Sequence, residues 1–420
     1  MTALPTACVV GAGVSGVATA RSLSRRGVPF ECFDGNDRVG GLRASREDLR
    51  GDVAREELEF ADWPMPRSYP RYPDASLTAR YLRDYAAHFG LDRHFRLGTR
   101  VESARRTDRG RWEVELDTGE RRSYEALVVA TGRSSAPSWP DARPGEFAGE
   151  QIHSDAYRDR ETLRDRDVLV VGLGASACDV AVASSYVARS THLAVHSGVR
   201  VLPQTAPGRA GDWLAGGGSW RLAGRSRRLA AAALHRIAFG PMEAYGLPAP
   251  RGVGGATHPV RAPHLLERLQ HGRIAVAPAI ERLEGDRVRF ADGTRVKVDL
   301  IVWCTGYEIR VPFLDPDLVP VQAGGRVELH WSVFSPNVPS LAFVGLLEPG
   351  PRSATRIVEG QGACVAACLG GDYALPSERE ASNGARRGDY ARGLRREMRR
   401  GRRRARVANE ISFVSRSLRR

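Results

Sequence analysis

Two stretches of the chain repeat the same order of apolar and polar positions. Each has a short apolar run, a glycine-rich turn, a helical segment and a second apolar run. Continuous apolar runs of this length are typical of strands buried on both faces of a parallel sheet, and strands that alternate with helices predict βαβ units. The segments are Cys8–Val10, Val17–Arg26 and Phe30–Phe33 in the first stretch, and Asp167–Val171, Cys178–Ala188 and His192–Val195 in the second. We therefore predict an α/β protein with two such units rather than one long sheet.

Further strands are predicted on either side of the second unit. Trp112–Leu116 and Arg287–Phe290 alternate in polarity and run into turns that contain Asp and Gly, which is typical of hairpins. Ala126–Ala130 and Asp299–Cys304 are apolar runs that both end in Thr-Gly. We interpret these two endings as paired crossings between domains, which a chain needs when one domain is inserted into another.

The same patterns predict the domain boundaries. We expect a first domain over residues 1–160, an inserted domain over 161–290, a return to the first domain over 291–385 and a basic tail over 386–420. The inserted domain contains an irregular Gly- and Pro-rich segment, Pro203–Pro263, in which Arg221–Phe239 is predicted as a solvated basic helix rather than a membrane-surface helix. The tail is poor in core-forming residues, so a helix, disorder and an extra packing element all stay open for it.

Composition narrows the class of partner. The chain has 420 residues and a formal net charge of +14. No nucleic-acid recognition motif accompanies this charge, so we expect no nucleic-acid partner and interpret the charge as attraction for an anionic cofactor. None of the six cysteines forms a Cys-x-x-Cys pair, so neither a zinc site nor a redox dithiol is indicated and we expect no metal.

The expected location follows from what the sequence lacks. No apolar run approaches the ~20 residues that span a membrane, and the N-terminus begins directly with a strand-like run rather than a signal peptide. We therefore expect a soluble cytoplasmic protein without a transmembrane segment.

The first glycine turn is Gly11-Ala12-Gly13-Val14-Ser15-Gly16. In this pattern the glycines form a tight strand-to-helix turn, let a pyrophosphate approach the backbone and let helix and strand pack closely, while the helix N-terminus attracts the phosphate. Asp34, at the end of the next strand, is placed to accept hydrogen bonds from ribose hydroxyls. An adenosine with a free 2′-hydroxyl, as in FAD or NAD, suits that acid. An ordinary glycine turn is the alternative.

The second glycine turn is Gly172-Leu173-Gly174-Ala175-Ser176-Ala177. The strand after it is followed by Ser197 and Arg200 and by no acid. A hydroxyl and a guanidinium suit a 2′-phosphate through charge-assisted hydrogen bonds, which favours NADPH over NADH. The alternative for Arg200 is a surface arginine in an arginine-rich protein.

A longer motif lies just before the second turn and resembles a known family. Phe147, Gly149, His153, Tyr157 and Arg158 have the spacing Phe-x-Gly-x-x-x-His-x-x-x-Tyr-Arg, which resembles the identifying motif of the class B flavin-containing monooxygenases. The related Baeyer–Villiger enzymes carry Trp at the position of Tyr157, so the resemblance favours the branch that oxygenates amines and sulfides. We expect His153 and Tyr157 to be structural.

The resemblance covers about Ala7 to Pro376 and extends the candidate cofactor residues. These are Gly41, Leu42 and Arg43, where Arg43 replaces the family's Trp, together with Thr131 in the first Thr-Gly ending and Gln361 in a segment similar to the family's last flavin-contacting region. The implied fold is two Rossmann-like dinucleotide-binding domains, with the NADP domain inserted into a discontinuous FAD domain.

The implied activity is monooxygenation of a small molecule with dioxygen. In the resembled family NADPH reduces FAD, the reduced flavin and dioxygen form a C4a-hydroperoxyflavin, and a nucleophilic nitrogen or sulfur takes the distal oxygen, as in N-oxide formation. The cofactor carries this chemistry and the protein orients it. A homodimer stays open.

Asp52 departs from the family where it bears on mechanism. An ungapped count from Asp62-Trp63-Pro64 places Asp52 where the family has an asparagine beside the flavin. Burial would raise the pKa of this carboxyl and favour the neutral form, which can donate a hydrogen bond. Asp52 is therefore the candidate catalytic residue, as donor or as base. A leakier enzyme and a misaligned surface residue are the alternatives.

Three other functions stay open. A Baeyer–Villiger oxygenase would act on a ketone, and a flavin-dependent reductase would pass electrons to a partner. A catalytically silent dinucleotide-binding protein is compatible with Arg43, Ala175 and Asp52, which all depart from the family pattern.

Overall fold

The computed structural model describes most of the chain. The described residues are 4–41, 53–134, 136–140, 144–202, 232–233, 235–237, 239–250, 260–262, 264–319, 321–322, 326–346, 354–376 and 390–417. Leu42, Arg43 and Asp52 lie outside them, as does most of the segment Pro203–Pro263. Of the predicted helix Arg221–Phe239, only a few residues near its end are described, and these are helical.

The strands, in chain order, are β1 Ala7–Val10, β2 Phe30–Asp34, β3 Phe95–Leu97, β4 Val101–Arg106, β5 Trp112–Leu116, β6 Arg121–Tyr124, β7 Ala126–Val129, β8 Ala136–Pro137, β9 Gly145–Phe147, β10 Glu150–His153, β11 Asp167–Val171, β12 Ser190–Ala194, β13 Val201–Leu202, β14 Val260–Arg261, β15 Ala275–Ala277, β16 Ile280–Gly285, β17 Arg287–Phe290, β18 Arg295–Lys297, β19 Leu300–Trp303, β20 Tyr307–Glu308, β21 Val321–Gln322, β22 Arg326–Val327 and β23 Leu341–Phe343.

The α-helices are α1 Val14–Ser24, α2 Arg55–Leu58, α3 Ala75–His88, α4 Ala175–Val187, α5 Leu265–Gln270, α6 Ala354–Leu369 and α7 Tyr390–Ser417. Short 3₁₀ segments cover Asp92–His94, Arg160–Leu163, Met242–Tyr245 and Pro316–Leu318.

The described residues divide into two compact units. Unit 1 holds those up to 41, those of 53–136 and those from 308 onward, and unit 2 holds those of 137–307. The predicted domain segments ended at 160 and 290, whereas the compact units divide at 136/137 and 307/308. The reason is strand pairing: β9 pairs with β16, and β10 pairs with β19. These pairs keep 145–153 and 300–303 in one unit.

Unit 1 is built on a parallel sheet with the strand order β23-β7-β1-β2-β3. Strand β1 lies at its centre, and all four of its residues are buried, as the apolar run predicted. The alternating segment Trp112–Leu116 is strand β5 of a separate antiparallel sheet, β4-β5-β6. Helix α1 connects β1 to β2, and these two strands are parallel neighbours, so the first predicted βαβ unit is present.

Unit 2 repeats this plan with a different sequence. Its parallel sheet has the order β10-β19-β11-β12-β15. The antiparallel hairpins β16-β17-β18 precede β19, as β4-β5-β6 precede β7. In each unit the strand that leads into the glycine turn therefore lies beside a strand that ends before Thr-Gly. Ligands of such sheets bind where the strand order reverses, outside the carboxyl ends of the strands.

The basic tail is a helix of unit 1. The buried residues of its first part recur every three or four positions, which is the spacing of one helical face: Tyr390, Leu394, Glu397, Gly401 and Ala405. A Cβ added to Gly401 would lie 2.0 Å from the ring of Tyr373, just beyond α6. Of the three outcomes left open for the tail, the structure selects a helix that packs on the fold.

No helix among the described residues is both long and apolar enough to cross a membrane.

Gly149→Ala is expected to destabilise unit 2. An added Cβ would lie 2.6 Å from the carbonyl oxygen of Asp299, which accepts a hydrogen bond from Glu150 N, and 2.7 Å from the Phe147 ring. Overpacking of this kind costs about 1–3 kcal/mol, so we expect a melting temperature lower by several degrees. The control is Gly174→Ala, because an added Cβ there meets nothing within 4 Å. Equal melting temperatures for the two variants would contradict the packing role.

Candidate functional site

The first glycine turn brings the start of α1 directly onto the end of β1. Gly11 has φ +111°, and a Cβ there would lie 2.6 Å from the carbonyl oxygen of Ala130, at the end of β7. A Cβ on Gly16 would lie 1.8 Å from the carbonyl oxygen of Gly11. Only glycine fits both positions. No side chain caps the N-terminus of α1, so its first amides are available to an anion.

Asp34 holds this turn in place. One carboxylate oxygen, Oδ2, accepts a hydrogen bond from Ala12 N at 2.6 Å, and Oδ1 accepts from Asn36 N at 2.8 Å. The sequence pointed to Asp34 only as an acceptor for a ribose. The structure adds that the same carboxylate ties the end of β2 to the glycine turn. Its position beside the turn agrees with a role in adenosine binding.

Two buried polar atoms follow β7 without a hydrogen-bond partner among the described residues. They are Oγ1 of Thr131 and Nε of Arg133. Buried polar groups are normally paired, because an unpaired group loses its hydration without compensation. In unit 2 the matching hydroxyl, Thr305 Oγ1, donates to Ser138 O at 2.6 Å. The unsatisfied groups are therefore candidate donors to a polar ligand beside the first glycine turn, and Arg133 is a candidate that the sequence analysis missed.

Other predicted residues of this turn take packing positions. Ser15 is buried, whereas Val14 is partly exposed. A Cβ on Gly41, which has φ +59°, would lie 2.9 Å from the Cα of Gly13. Gly41 thus packs on the middle of the turn. The neighbouring candidates Leu42, Arg43 and Asp52 lie outside the described residues.

Gln361, a predicted cofactor contact, lies on α6 inside unit 1. Gln361 is completely buried. Its Oε1 accepts from Gly345 N at 2.9 Å, while its Nε2 donates to Ser332 O and to the Tyr390 hydroxyl. The amide is therefore enclosed by its own chain and holds the segment around Gly345, while a cofactor contact of Gln361 stays a prediction.

The second glycine turn has the same backbone plan and a more open surface. Gly172 has φ +125°, and a Cβ there would lie 2.6 Å from the carbonyl oxygen of Cys304, at the end of β19. Ala177, in the third glycine position, is fully buried, whereas Gly174 and Ala175 are exposed and Ser176 is partly exposed. No side chain caps α4. Free amides and an open glycine are what a pyrophosphate needs to approach the backbone.

Ser197 and Arg200 follow β12, as predicted. Ser197 is exposed, while Arg200 is half-buried and its carbonyl oxygen accepts from Val260 N at 2.8 Å. Burial lowers the pKa of the Arg200 guanidinium. A cation partly withdrawn from water interacts more strongly with a bound anion. The position and environment of Arg200 therefore suit a phosphate better than those of a fully exposed arginine would.

The motif Phe147–Arg158 lies within unit 2. His153, at the end of β10, is buried, and its ring meets Tyr307 edge-on with 5.2 Å between centroids. Tyr157 lies in the hydrophobic core of the unit. Gly149 allows the close approach of Phe147 and Asp299 described above. These contacts agree with a structural role for His153 and Tyr157.

The two turns and their surroundings define a protein class, an α/β protein with two dinucleotide-type glycine turns. Comparison with known proteins identifies the family. Residues 6–393 match the flavin-binding monooxygenase-like family, and the chain belongs to it.

Flavin-containing monooxygenase 1 of Mus musculus is 30% identical over 378 residues, which cover 81% of this chain and 69% of that protein. The 4-hydroxybenzoate brominase (decarboxylating) of Marinomonas mediterranea is 28% identical over 392 residues, which cover 88% and 75%.

Solved structures agree on the fold. S-allyl-L-cysteine S-oxygenase from Allium sativum has a TM-score of 0.67 and 23% identity, with 94% of this chain and 89% of that chain covered. Closed cyclohexanone monooxygenase has a TM-score of 0.70 and 20% identity, with 88% and 85% covered. At these identities the likeness shows a shared α/β fold of the flavin monooxygenase type.

Members of the family are FAD- and NADPH-dependent enzymes, so the resemblance and the two cofactors expected from the sequence are confirmed. The residues present fit these cofactors. The open helix N-termini and the unsatisfied Thr131 and Arg133 groups are donors for phosphate or ribose oxygens, and Asp34 is an acceptor.

Asp34→Asn is expected to weaken FAD binding by about 10- to 100-fold, the effect of losing a charge-assisted hydrogen bond. Both carboxylate oxygens of Asp34 accept from backbone amides, and an asparagine can replace only one of these acceptors. FAD retained after gel filtration and the dissociation constant of the reconstituted protein measure the effect. Asp37→Asn is the matched control, because that side chain is 79% exposed. Full FAD retention by Asp34→Asn would contradict the assignment.

Proposed function

We propose that the protein is an NADPH-dependent monooxygenase that transfers one atom of dioxygen to a nucleophilic nitrogen or sulfur of a small molecule. The observation that carries the proposal is the combination, in one member of the family, of two unlike glycine turns with a motif that has Tyr157-Arg158 at its end. The two turns support the assignment of FAD and NADPH to different units. The motif supports the branch of the family that oxygenates nitrogen and sulfur.

FAD is assigned to unit 1. The support is Asp34 beside the first turn, the uncapped N-terminus of α1 and the unsatisfied donors of Thr131 and Arg133. The carboxylate of Asp34 favours an adenosine that has a free 2′-hydroxyl, because a 2′-phosphate there would be repelled. Gly11, Gly13, Val14, Ser15, Gly16 and Gly41 form or pack the turn that receives the diphosphate.

NADPH is assigned to unit 2. Gly172, Gly174, Ala175, Ser176 and Ala177 form the turn, and Ser197 and the half-buried Arg200 supply a hydroxyl and a cation for the 2′-phosphate. In this arrangement the NADP domain is an insertion into the FAD domain, with Rossmann-like sheets in both.

The net reaction consumes NADPH, a proton, dioxygen and the substrate, and yields NADP⁺, water and the oxygenated product. Bound flavin supplies the redox chemistry, as cofactors of this type do. The chain's own residues bind the two dinucleotides and set their orientation. For Asp52 the hypothesis of a donor or base beside the flavin is retained.

Oxygenation of nitrogen or sulfur is preferred to Baeyer–Villiger oxygenation. The related Baeyer–Villiger enzymes have Trp where this chain has Tyr157. Among the similar proteins, the Allium sativum enzyme is named an S-oxygenase. Baeyer–Villiger oxygenation of a ketone is the second candidate, because cyclohexanone monooxygenase has a comparable fold. Cytoplasmic location remains part of the proposal.

Product analysis tests the reaction. We expect purified protein with NADPH and dioxygen to convert a tertiary amine or a thioether into an N-oxide or sulfoxide, one oxygen atom heavier, with label incorporated from ¹⁸O₂. A cyclic ketone is the comparison substrate. A lactone as the only product would favour the second candidate, and NADPH oxidation that yields only hydrogen peroxide with every substrate class would contradict oxygenation.

Arg200→Ala is expected to raise the KM for NADPH by about 10-fold or more, as the loss of a charge-assisted hydrogen bond implies, with little change in the KM for NADH. Initial rates of flavin reduction with each nucleotide measure this ratio. Arg164→Ala is the control, because Arg164 is an exposed arginine of the same unit that pairs with Glu161. Equal changes for the two nucleotides would contradict the 2′-phosphate assignment.

A further inference from the structure

A turn with unusual backbone geometry precedes β23 in unit 1. Trp331 and Ser332 are consecutive non-glycine residues with φ +52° and +54°. Left-handed backbone is unfavourable for such residues and persists only where the surrounding structure fixes it. The carbonyl oxygens of both residues accept partly buried hydrogen bonds from other segments. This turn is therefore held by contacts made from outside it.

One of those contacts comes from the first residue of the C-terminal helix. The Tyr390 hydroxyl donates to Trp331 O at 2.7 Å and accepts from Gln361 Nε2 at 3.0 Å. Tyr390 is 6% exposed. Through Tyr390, helix α7 thus contacts both the left-handed turn and α6.

Gln361 connects Tyr390 to the segment that packs on the first glycine turn. Its Nε2 also donates to Ser332 O, and its Oε1 accepts from Gly345 N. Gly345 has φ +88°, and a Cβ there would lie 2.1 Å from the hydroxyl oxygen of Ser15. Ser15 belongs to the first turn of α1. An unbroken series of contacts therefore joins Tyr390, Gln361, Gly345 and Ser15.

Separate contacts anchor the rest of α7. Leu394 packs on Gly360 of α6, where an added Cβ would lie 3.3 Å from it. The Tyr373 hydroxyl donates to Glu397 at 3.2 Å, and Arg404 pairs with the same carboxylate. These contacts hold the helix without touching Gln361. The family match ends at residue 393, within the first turn of α7.

We propose that Tyr390 is a positioning residue for FAD, and that α7 sets how tightly unit 1 retains the cofactor. Tyr390 orients the Gln361 amide, which fixes Gly345 against Ser15 and so fixes the first turn of α1. The amides of that turn are the donors assigned to the FAD diphosphate. The inference rests on the proposed binding of FAD to unit 1.

The test compares two buried tyrosines in the full-length protein. Tyr390→Phe keeps the ring but removes the hydroxyl that contacts Trp331 and Gln361. Tyr373→Phe removes a buried hydroxyl that contacts Glu397 of the same helix α7 but leaves Gln361 untouched. FAD affinity is measured by titrating apoprotein with FAD, and FAD release by the fluorescence of the freed flavin. Thermal unfolding of the apoproteins and NADP⁺ affinity are measured in parallel.

We expect Tyr390→Phe to raise the FAD dissociation constant about 5- to 10-fold, the effect of losing the buried hydrogen bond that orients Gln361, and to speed FAD release. Tyr373→Phe should change this constant by less than about twofold. The two variants should nevertheless lower the melting temperature of the apoprotein by similar amounts. NADP⁺ affinity should stay unchanged in both.

Unchanged FAD affinity in Tyr390→Phe would overturn the inference, as would equal weakening in both variants, which would indicate only general stability. A Gln361→Glu variant gives a second measurement, because it replaces the donor to Ser332 and Tyr390, and it should weaken FAD binding at least as much as Tyr390→Phe. Wild-type protein that binds no FAD would overturn the proposed function itself.

Discussion

The structure depends on the close approach of two backbones at each glycine turn. Gly11 and Gly172 leave space for the carbonyl oxygens of Ala130 and Cys304, and a Cβ at either glycine would lie 2.6 Å from the facing oxygen. Because the turn lies against the neighbouring strand, the following helix starts at the carboxyl edge of the sheet. Its free amides then point to where a phosphate can bind. The parallel strand order of each unit keeps these groups together.

The two turns differ because different side chains surround the same backbone plan. In unit 1 the Asp34 carboxylate ties β2 to the turn, Gly41 covers Gly13, and Thr131 Oγ1 remains unsatisfied. In unit 2 Gly174 is open. A carboxylate beside one turn and a half-buried guanidinium after the matching strand of the other favour different adenosines, which is the physical basis for assigning different cofactors to the two units.

Unit 1 also relies on parts of the chain far from the glycine turn. Helix α6 packs on α1, where a Cβ on Gly362 would lie 3.1 Å from the carbonyl oxygen of Ala18. Gln361 on the same helix holds Gly345 and Ser332, and Tyr390 completes this buried network. Residues that come more than three hundred positions later in the chain thus pack on the first turn of α1 and hold it in place. Under the proposed assignment, FAD binding at this turn would depend on the C-terminal part of the chain.

The sequence alone was sufficient for the local features. Apolar runs, glycine spacing and Thr-Gly endings predicted strands and turns, because strand burial and tight turns restrict residue types locally. The motif Phe147–Arg158 carried the resemblance to the family. Tertiary structure alone decided the unit boundaries, since the partners of β9 and β10 lie far along the chain. It also decided that Gln361 is enclosed, that Asp34 holds its own turn and that the basic tail packs as a helix. These outcomes depend on contacts between distant segments, and neither composition nor spacing encodes which segments meet.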